Sequence, residues 1–148
     1  MMDKGKAYES LFAKVREKDD LGEISSEILS EMGFLWVGYY LVKEGNLVLG
    51  PYSGPPACEL IRKGKGVCGT AWEKAETIIV PDVEEFPGHI ACSSLSRSEI
   101  VVPLFSGGEV IGVLDIDSEE LDTFDGVDAL WLERIAGHSE KILKGKYR

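Results

Sequence analysis

Two alternating stretches, each doubling back at a glycine turn, restrict what this chain can fold into more than any other feature. Residues 34–43 are rich in aromatic and β-branched side chains, Glu44-Gly45-Asn46 turns the chain, and residues 47–52 return. Residues 99–105 and 109–117 repeat the pattern across Ser106-Gly107-Gly108. Short glycine turns between such segments pair them as antiparallel hairpins. Alternation then sorts side chains by face. On the first strand Leu35, Val37, Tyr39 and Leu41 share one face, while Trp36, Gly38 and Tyr40 share the other. In the second hairpin Ile100, Val102 and Leu104 lie opposite Glu99, and Val110, Leu114 and Ile116 lie opposite Asp115 and Asp117.

Helical periodicity flanks the hairpins. Tyr8, Leu11, Phe12 and Val15 predict a helix over about 3–18. Asp20 followed by Glu23 resembles a capping box, with Leu21, Ile24, Ile28, Leu29 and Met32 marking a second helix that Gly33 ends. Val127, Leu130, Trp131, Ile135 and Ile142 define a closing helix after Asp122-Thr123-Phe124-Asp125, and the basic tail 144–148 suits its C-terminal dipole. Between the hairpins come a short extended piece at 57–61, a turn at Lys63-Gly64-Lys65-Gly66, a short helix beginning at 66–72 and a strand at 77–80. This order fits an α+β fold: a central antiparallel sheet with helices on one face and a loop-covered pocket on the other. The 148 residues read as one domain, 1–148, without repeats or linkers.

A formal charge of -10 argues against nucleic acid and anionic membranes as partners. No apolar run backs the basic residues near the N-terminus, so no secretory signal is read there. The longest apolar stretch, 34–42, is far short of the ~20 residues a membrane helix needs. A cytoplasmic location is expected. Three cysteines with no Cys-x-x-Cys spacing suggest neither a disulfide framework nor structural zinc in a reducing compartment. Buried thiols or redox chemistry remain.

Cys92 sits in the loop Pro87-Gly88-His89-Ile90-Ala91-Cys92, followed by a run carrying four serines that leads into the strand at Glu99. It reads either as a small buried hydrophobe or as a reactive thiol on a loop anchored by a scaffold. Trp36 and Tyr40 read as core packing or as the wall of a pocket at Gly38. Asp115 and Asp117, like charges at alternate positions of an apolar strand, read as a solvated sheet face or as a site that folding alone does not favour. Gly66-Val67-Cys68-Gly69 begins a helix beside glycines, but no Gly-Lys-Ser/Thr follows, so it is not a phosphate loop. His89, three residues from Cys92, reads first as a loop residue and second as a group favouring the thiolate.

Taken together, Gly66-Val67-Cys68-Gly69-Thr70-Ala71, Phe86-Pro87-Gly88-His89-Ile90-Ala91-Cys92, Ser98-Glu99-Ile100-Val101-Val102-Pro103-Leu104 and Gly112-Val113-Leu114-Asp115-Ile116-Asp117-Ser118 resemble the free methionine-(R)-sulfoxide reductases, stand-alone GAF-domain enzymes. The blocks run in the family's order from about residue 33 to the closing helix. The resemblance implies a GAF-like fold and thiol-dependent reduction of free L-methionine-(R)-sulfoxide, a product of oxidative stress, without metal or organic cofactor. It implies Cys92 as the attacking thiol and Cys58 as the usual resolving thiol, with Cys68 a third cysteine that some members use in the disulfide cycle. It implies Glu99, Asp115 and Asp117 as the acidic substrate-binding cluster, Trp36 and Tyr40 as pocket aromatics, and thioredoxin as the reductant. Ser93-Ser94 depart from relatives that carry an acidic residue after the cysteine. A homodimer using the first helix is a further expectation. The rival readings are a non-catalytic GAF sensor of a small molecule and a general thiol-redox or peroxide-reducing switch.

Overall fold

The computed structural model describes residues 3–90, 92 and 94–146. Met1, Met2, Ala91, Ser93, Tyr147 and Arg148 lie outside them, and with them part of the serine run and the end of the basic tail. In chain order the elements are α1 (Lys4–Val15), α2 (Leu21–Met32), β1 (Trp36–Lys43), β2 (Asn46–Ser53), β3 (Leu60–Arg62), α3 (Gly66–Lys74), β4 (Ile78–Val80), a 3-10 turn (Val83–Glu85), β5 (Ser98–Ser106), β6 (Glu109–Ser118) and α4 (Gly126–Lys146). The strands form one sheet in the order β3-β2-β1-β6-β5-β4, every neighbour antiparallel. The two hairpins foreseen from alternation, β1-β2 and β5-β6, thus meet through β1 and β6 at the sheet centre. Among the described residues no helix is long and apolar enough to cross a membrane.

The caps explain the first helix boundaries. The Asp3 carboxylate accepts from the Lys6 N–H and starts α1 at Lys4, and the helix stops at Val15, short of the expected 18. The Asp20 carboxylate accepts from the Glu23 N–H, and Gly33 closes α2 in the left-handed region at φ 73°.

One face of the sheet carries α1, α2 and α4. Val37 and Tyr39 of β1, Ile100 and Leu104 of β5, and Leu114 and Ile116 of β6 pack there against Tyr8, Leu11, Ile24, Ile28, Leu132 and Ile135. The expected inward stripe of α4 is rotated. Val127 and Leu130 are 39% and 49% exposed, whereas Asp128, Leu132, Ile135, Ala136, Ser139, Ile142 and Leu143 face inward. Hydrophobicity misleads here because two inward positions are polar and satisfied. Asp128 accepts from the Tyr8 hydroxyl and the Lys4 ammonium, and the Ser139 hydroxyl bonds the Tyr39 hydroxyl at 2.7 Å.

The opposite face is not covered by loops alone, a correction to the expected layering. Helix α3 lies on it, and a second core joins Val67, Cys68, Ala71 and Trp72 to Trp36, Tyr40, Val101 and Val113. Val110 belongs to this side, not with Leu114 and Ile116. Leu104 pairs with Gly112 but Phe105 with Val110, so a bulge at Ile111 inverts the alternation beyond it. Leu35 also packs on this side because β1 begins only at Trp36.

Candidate active site

Pairing register builds the site. Asp117 of β6 lies between Trp36 of β1 and Glu99 of β5, and Asp115 lies between Gly38 and Val101. Glu99 and Asp117 are therefore direct cross-strand partners, with Asp115 two residues further along the same face. The sheet face that would otherwise be wet is roofed by α3. A Cβ on Gly69 would lie 2.4 Å from the Arg62 carbonyl oxygen, so only glycine lets α3 approach β3 this closely. That approach sets Cys68 over the carboxyl groups, 3% exposed.

The result is a cavity of about 30 Å3 walled by Cys68, Glu99, Asp115, Asp117, His89 and Cys92. Lys65, Gly66 and Val67 bring the first turn of α3 to its edge, and no side chain caps that helix. Glu99 and Asp115 are 6% and 5% exposed. Burial first, then the negative charge of Asp115 and Asp117, holds the Glu99 carboxyl well above the usual carboxylate range. Burial and the charge of Asp115 push the Asp117 carboxyl up in the same way. Asp115 is also raised by burial, though hydrogen bonds from Glu99 and Cys68 oppose the shift. The Cys68 thiol is pushed up by burial and by the three acids, and His89 is lowered by burial while Asp115 pulls it up. Burial thus favours the protonated form of these carboxyl groups over the ionised one.

Cys58 and Cys92 are joined in a disulfide with Cα atoms 5.2 Å apart, while Cys68 is a free, buried thiol. The bridge ties the segment before β3 to the loop before β5, and its Cys92 end walls the cavity. Trp36 and Tyr40 are fully buried but do not wall the cavity. The Trp36 indole lies over Gly38, where a Cβ would come within 2.4 Å of the ring, so the gap foreseen there is filled by Trp36 itself. Both aromatic side chains instead reach the Cys58 segment. The Trp36 Nε1–H donates to the Pro55 carbonyl at 3.0 Å, and the Tyr40 hydroxyl donates to the Cys58 carbonyl at 2.9 Å.

A GAF domain model matches residues 15–144. The solved free methionine-R-sulfoxide reductase of Neisseria meningitidis, in complex with its substrate, superposes with a TM-score of 0.95 at 45% identity, covering 99% of this chain and 94% of that one. The chain belongs to the GAF-domain free methionine-R-sulfoxide reductases. Family members alike in sequence include the Free methionine-R-sulfoxide reductase of Saccharomyces cerevisiae, 50% identical over 68% of this chain and 58% of the yeast protein. GAF domain-containing protein A of Dictyostelium discoideum is 56% identical over 78% of this chain and 74% of that protein.

For this member of the family, sequence reasoning missed one polar contact of the site. The Ser96 hydroxyl donates to Asp117 at 3.0 Å. Nothing in a serine run distinguishes the serine that reaches inward. The uncapped start of α3 has its signal in the glycines at 64 and 66, which beside a helix start can expose N–H groups to an anion.

Proposed function

We propose that this chain reduces free L-methionine-(R)-sulfoxide to L-methionine, with Cys92 as nucleophile and Cys58 as resolving thiol. The observation that carries the reading is a Cys58–Cys92 bridge whose Cys92 walls a cavity shared with three buried carboxyl groups. The Cys92 thiolate attacks the sulfoxide sulfur, and a protonated carboxyl of the Glu99, Asp115 and Asp117 cluster gives its proton to the oxygen. Oxygen passes to Cys92 as a sulfenic acid, and methionine leaves. The Cys58 thiol then attacks the Cys92 sulfenic acid, forming the disulfide and releasing water. A dithiol reductant, thioredoxin in the cytoplasm, regenerates both thiols by exchange.

The substrate is a zwitterion, and the site offers both complements. Ionised members of the acidic cluster suit the α-ammonium, and the uncapped N–H groups of α3 suit the α-carboxylate. The oxidised cavity of about 30 Å3 has room for a water or an ion, not an amino acid. Substrate therefore enters after the bridge is reduced and the Cys58 segment moves. That movement uncovers Trp36 and Tyr40, which lie beneath the segment and enclose the substrate methyl. Cys68, buried with its thiol pushed up, is the slower of the two possible resolving thiols. Helix α1 buries Tyr8, Leu11 and Val15 in its own core, so a homodimer would use its polar face.

Adding methionine-R-sulfoxide, its S epimer and hydrogen peroxide separately, with thioredoxin, thioredoxin reductase and NADPH, tests the reading. NADPH consumption with the R epimer alone supports it. Consumption with peroxide alone would favour a general thiol switch, and consumption with none would favour a sensor.

A further inference from the structure

Asp115 Oδ1 is a buried carboxylate oxygen with no hydrogen-bond partner among the described residues. The residue helps to wall the cavity and is 5% exposed. An orphaned buried acceptor is costly unless something completes its coordination. Its neighbours are not a random acidic set. Ligand atoms of Cys68, Glu99 and Asp115 all lie within 4.8 Å of one another, and all three residues are buried. Asp117, the remaining acid, already accepts from Ser96. The cavity of about 30 Å3 is the size of one small guest.

We propose that Cys68, Glu99 and Asp115 form a site for a single divalent ion of the zinc type, and that the ion blocks the active site. One thiolate and two carboxylates are a ligand set that a borderline-soft ion accepts, with a water or His89 available as the fourth donor. Zn–S bonds of about 2.3 Å and Zn–O bonds of about 2.0–2.2 Å bring the three groups together with small side-chain rotations. Binding displaces the Cys68 thiol proton, and any carboxyl proton, to solvent. The oxidation states of the protein and the ion do not change. The ion occupies the acids that act on the sulfoxide oxygen, so metal and substrate exclude one another. This blocking role, unlike the ion site itself, rests on the proposed reductase reading.

The oxidised protein makes a clean test, because its other two cysteines are in the bridge and Cys68 is its one free thiol. Titration with Co2+, a spectroscopic substitute for Zn2+, is expected to give a near-ultraviolet thiolate-to-cobalt band that Zn2+ then abolishes. The band is lost in Cys68→Ser. Metal affinity falls at least about ten-fold in Asp115→Asn, a near-isosteric change whose fold is checked by circular dichroism. No band in the wild-type protein, or an undiminished band in Cys68→Ser, overturns the site. In the Cys58→Ser/Cys92→Ser protein, free methionine-R-sulfoxide is expected to raise the apparent Co2+ dissociation constant. A band that substrate leaves unmoved overturns the blocking role, and the NADPH assay judges the reductase reading separately.

Discussion

The Tyr40 hydroxyl donates to the backbone carbonyl of Cys58 at 2.9 Å, fastening a central strand to the segment that carries the proposed resolving thiol. Sequence alternation puts Tyr40 on the pocket face; the structure adds that its polar end bonds the backbone of Cys58. One such bond contributes on the order of 1 kcal/mol, or about five-fold in the population of the poised segment. In Tyr40→Phe we expect disulfide formation after oxygen transfer to slow by about that factor, and by more than oxygen transfer itself slows. Rapid-quench sampling of the sulfenic acid and the disulfide measures the two steps. Equal slowing of both would argue against the anchoring role.

Gly38 is needed because Trp36 occupies the space of its missing side chain. A Cβ there would meet the Trp36 ring at 2.4 Å and the Tyr52 Cβ at 2.5 Å. Gly38→Ala is expected to cost about 1–3 kcal/mol of stability, the usual result of overpacking. Chemical denaturation reads the loss, and a red shift of tryptophan emission would report the displaced ring.

Cys58 and Cys92 are 34 residues apart in sequence, so their bridge closes a loop of moderate length. Chain entropy alone then makes the oxidised protein more stable than the reduced one by up to about 3–4 kcal/mol. Unfolding with and without reductant tests this, and Cys58→Ser should remove the difference. A difference that survives the substitution would point to another thiol pair.

Burial lifts the Glu99 carboxyl above its unfolded value. The folded state therefore binds the proton more tightly, and the stability this adds is present below the ordinary carboxylate range. It is lost as pH rises through the raised folded value. With chelator present, Glu99→Gln should match the wild type near pH 4 and exceed it in stability at pH 8. Urea denaturation at both values checks the sign. A gain confined to low pH would contradict it.

Much of this arrangement was legible beforehand. Both hairpins, the Asp20 cap and the Gly33 stop follow from local patterns, and strand period places Glu99, Asp115 and Asp117 on one face. Three features were not legible, each for a physical reason. The Ile111 bulge breaks the parity that alternation assumes. The inward stripe of α4 includes Asp128 and Ser139, whose bonds to Tyr8 and Tyr39 make polarity a poor guide to burial. Packing of α3 onto the sheet depends on the close approach of Gly69 to the Arg62 carbonyl, which hydrophobic periodicity does not announce. The α3 roof turns a sheet face bearing three acids from a solvated surface into the wall of a cavity. It also raises their proton affinity, which the proposed chemistry needs.

The most direct test uses Cys58→Ser protein, reduced, given one equivalent of free methionine-R-sulfoxide and then a sulfenic-acid trap such as dimedone. Peptide mass spectrometry should find the adduct on Cys92, with the R epimer and not the S epimer. An adduct on Cys68 instead, or methionine formed while Cys92 stays unmodified, would contradict the account.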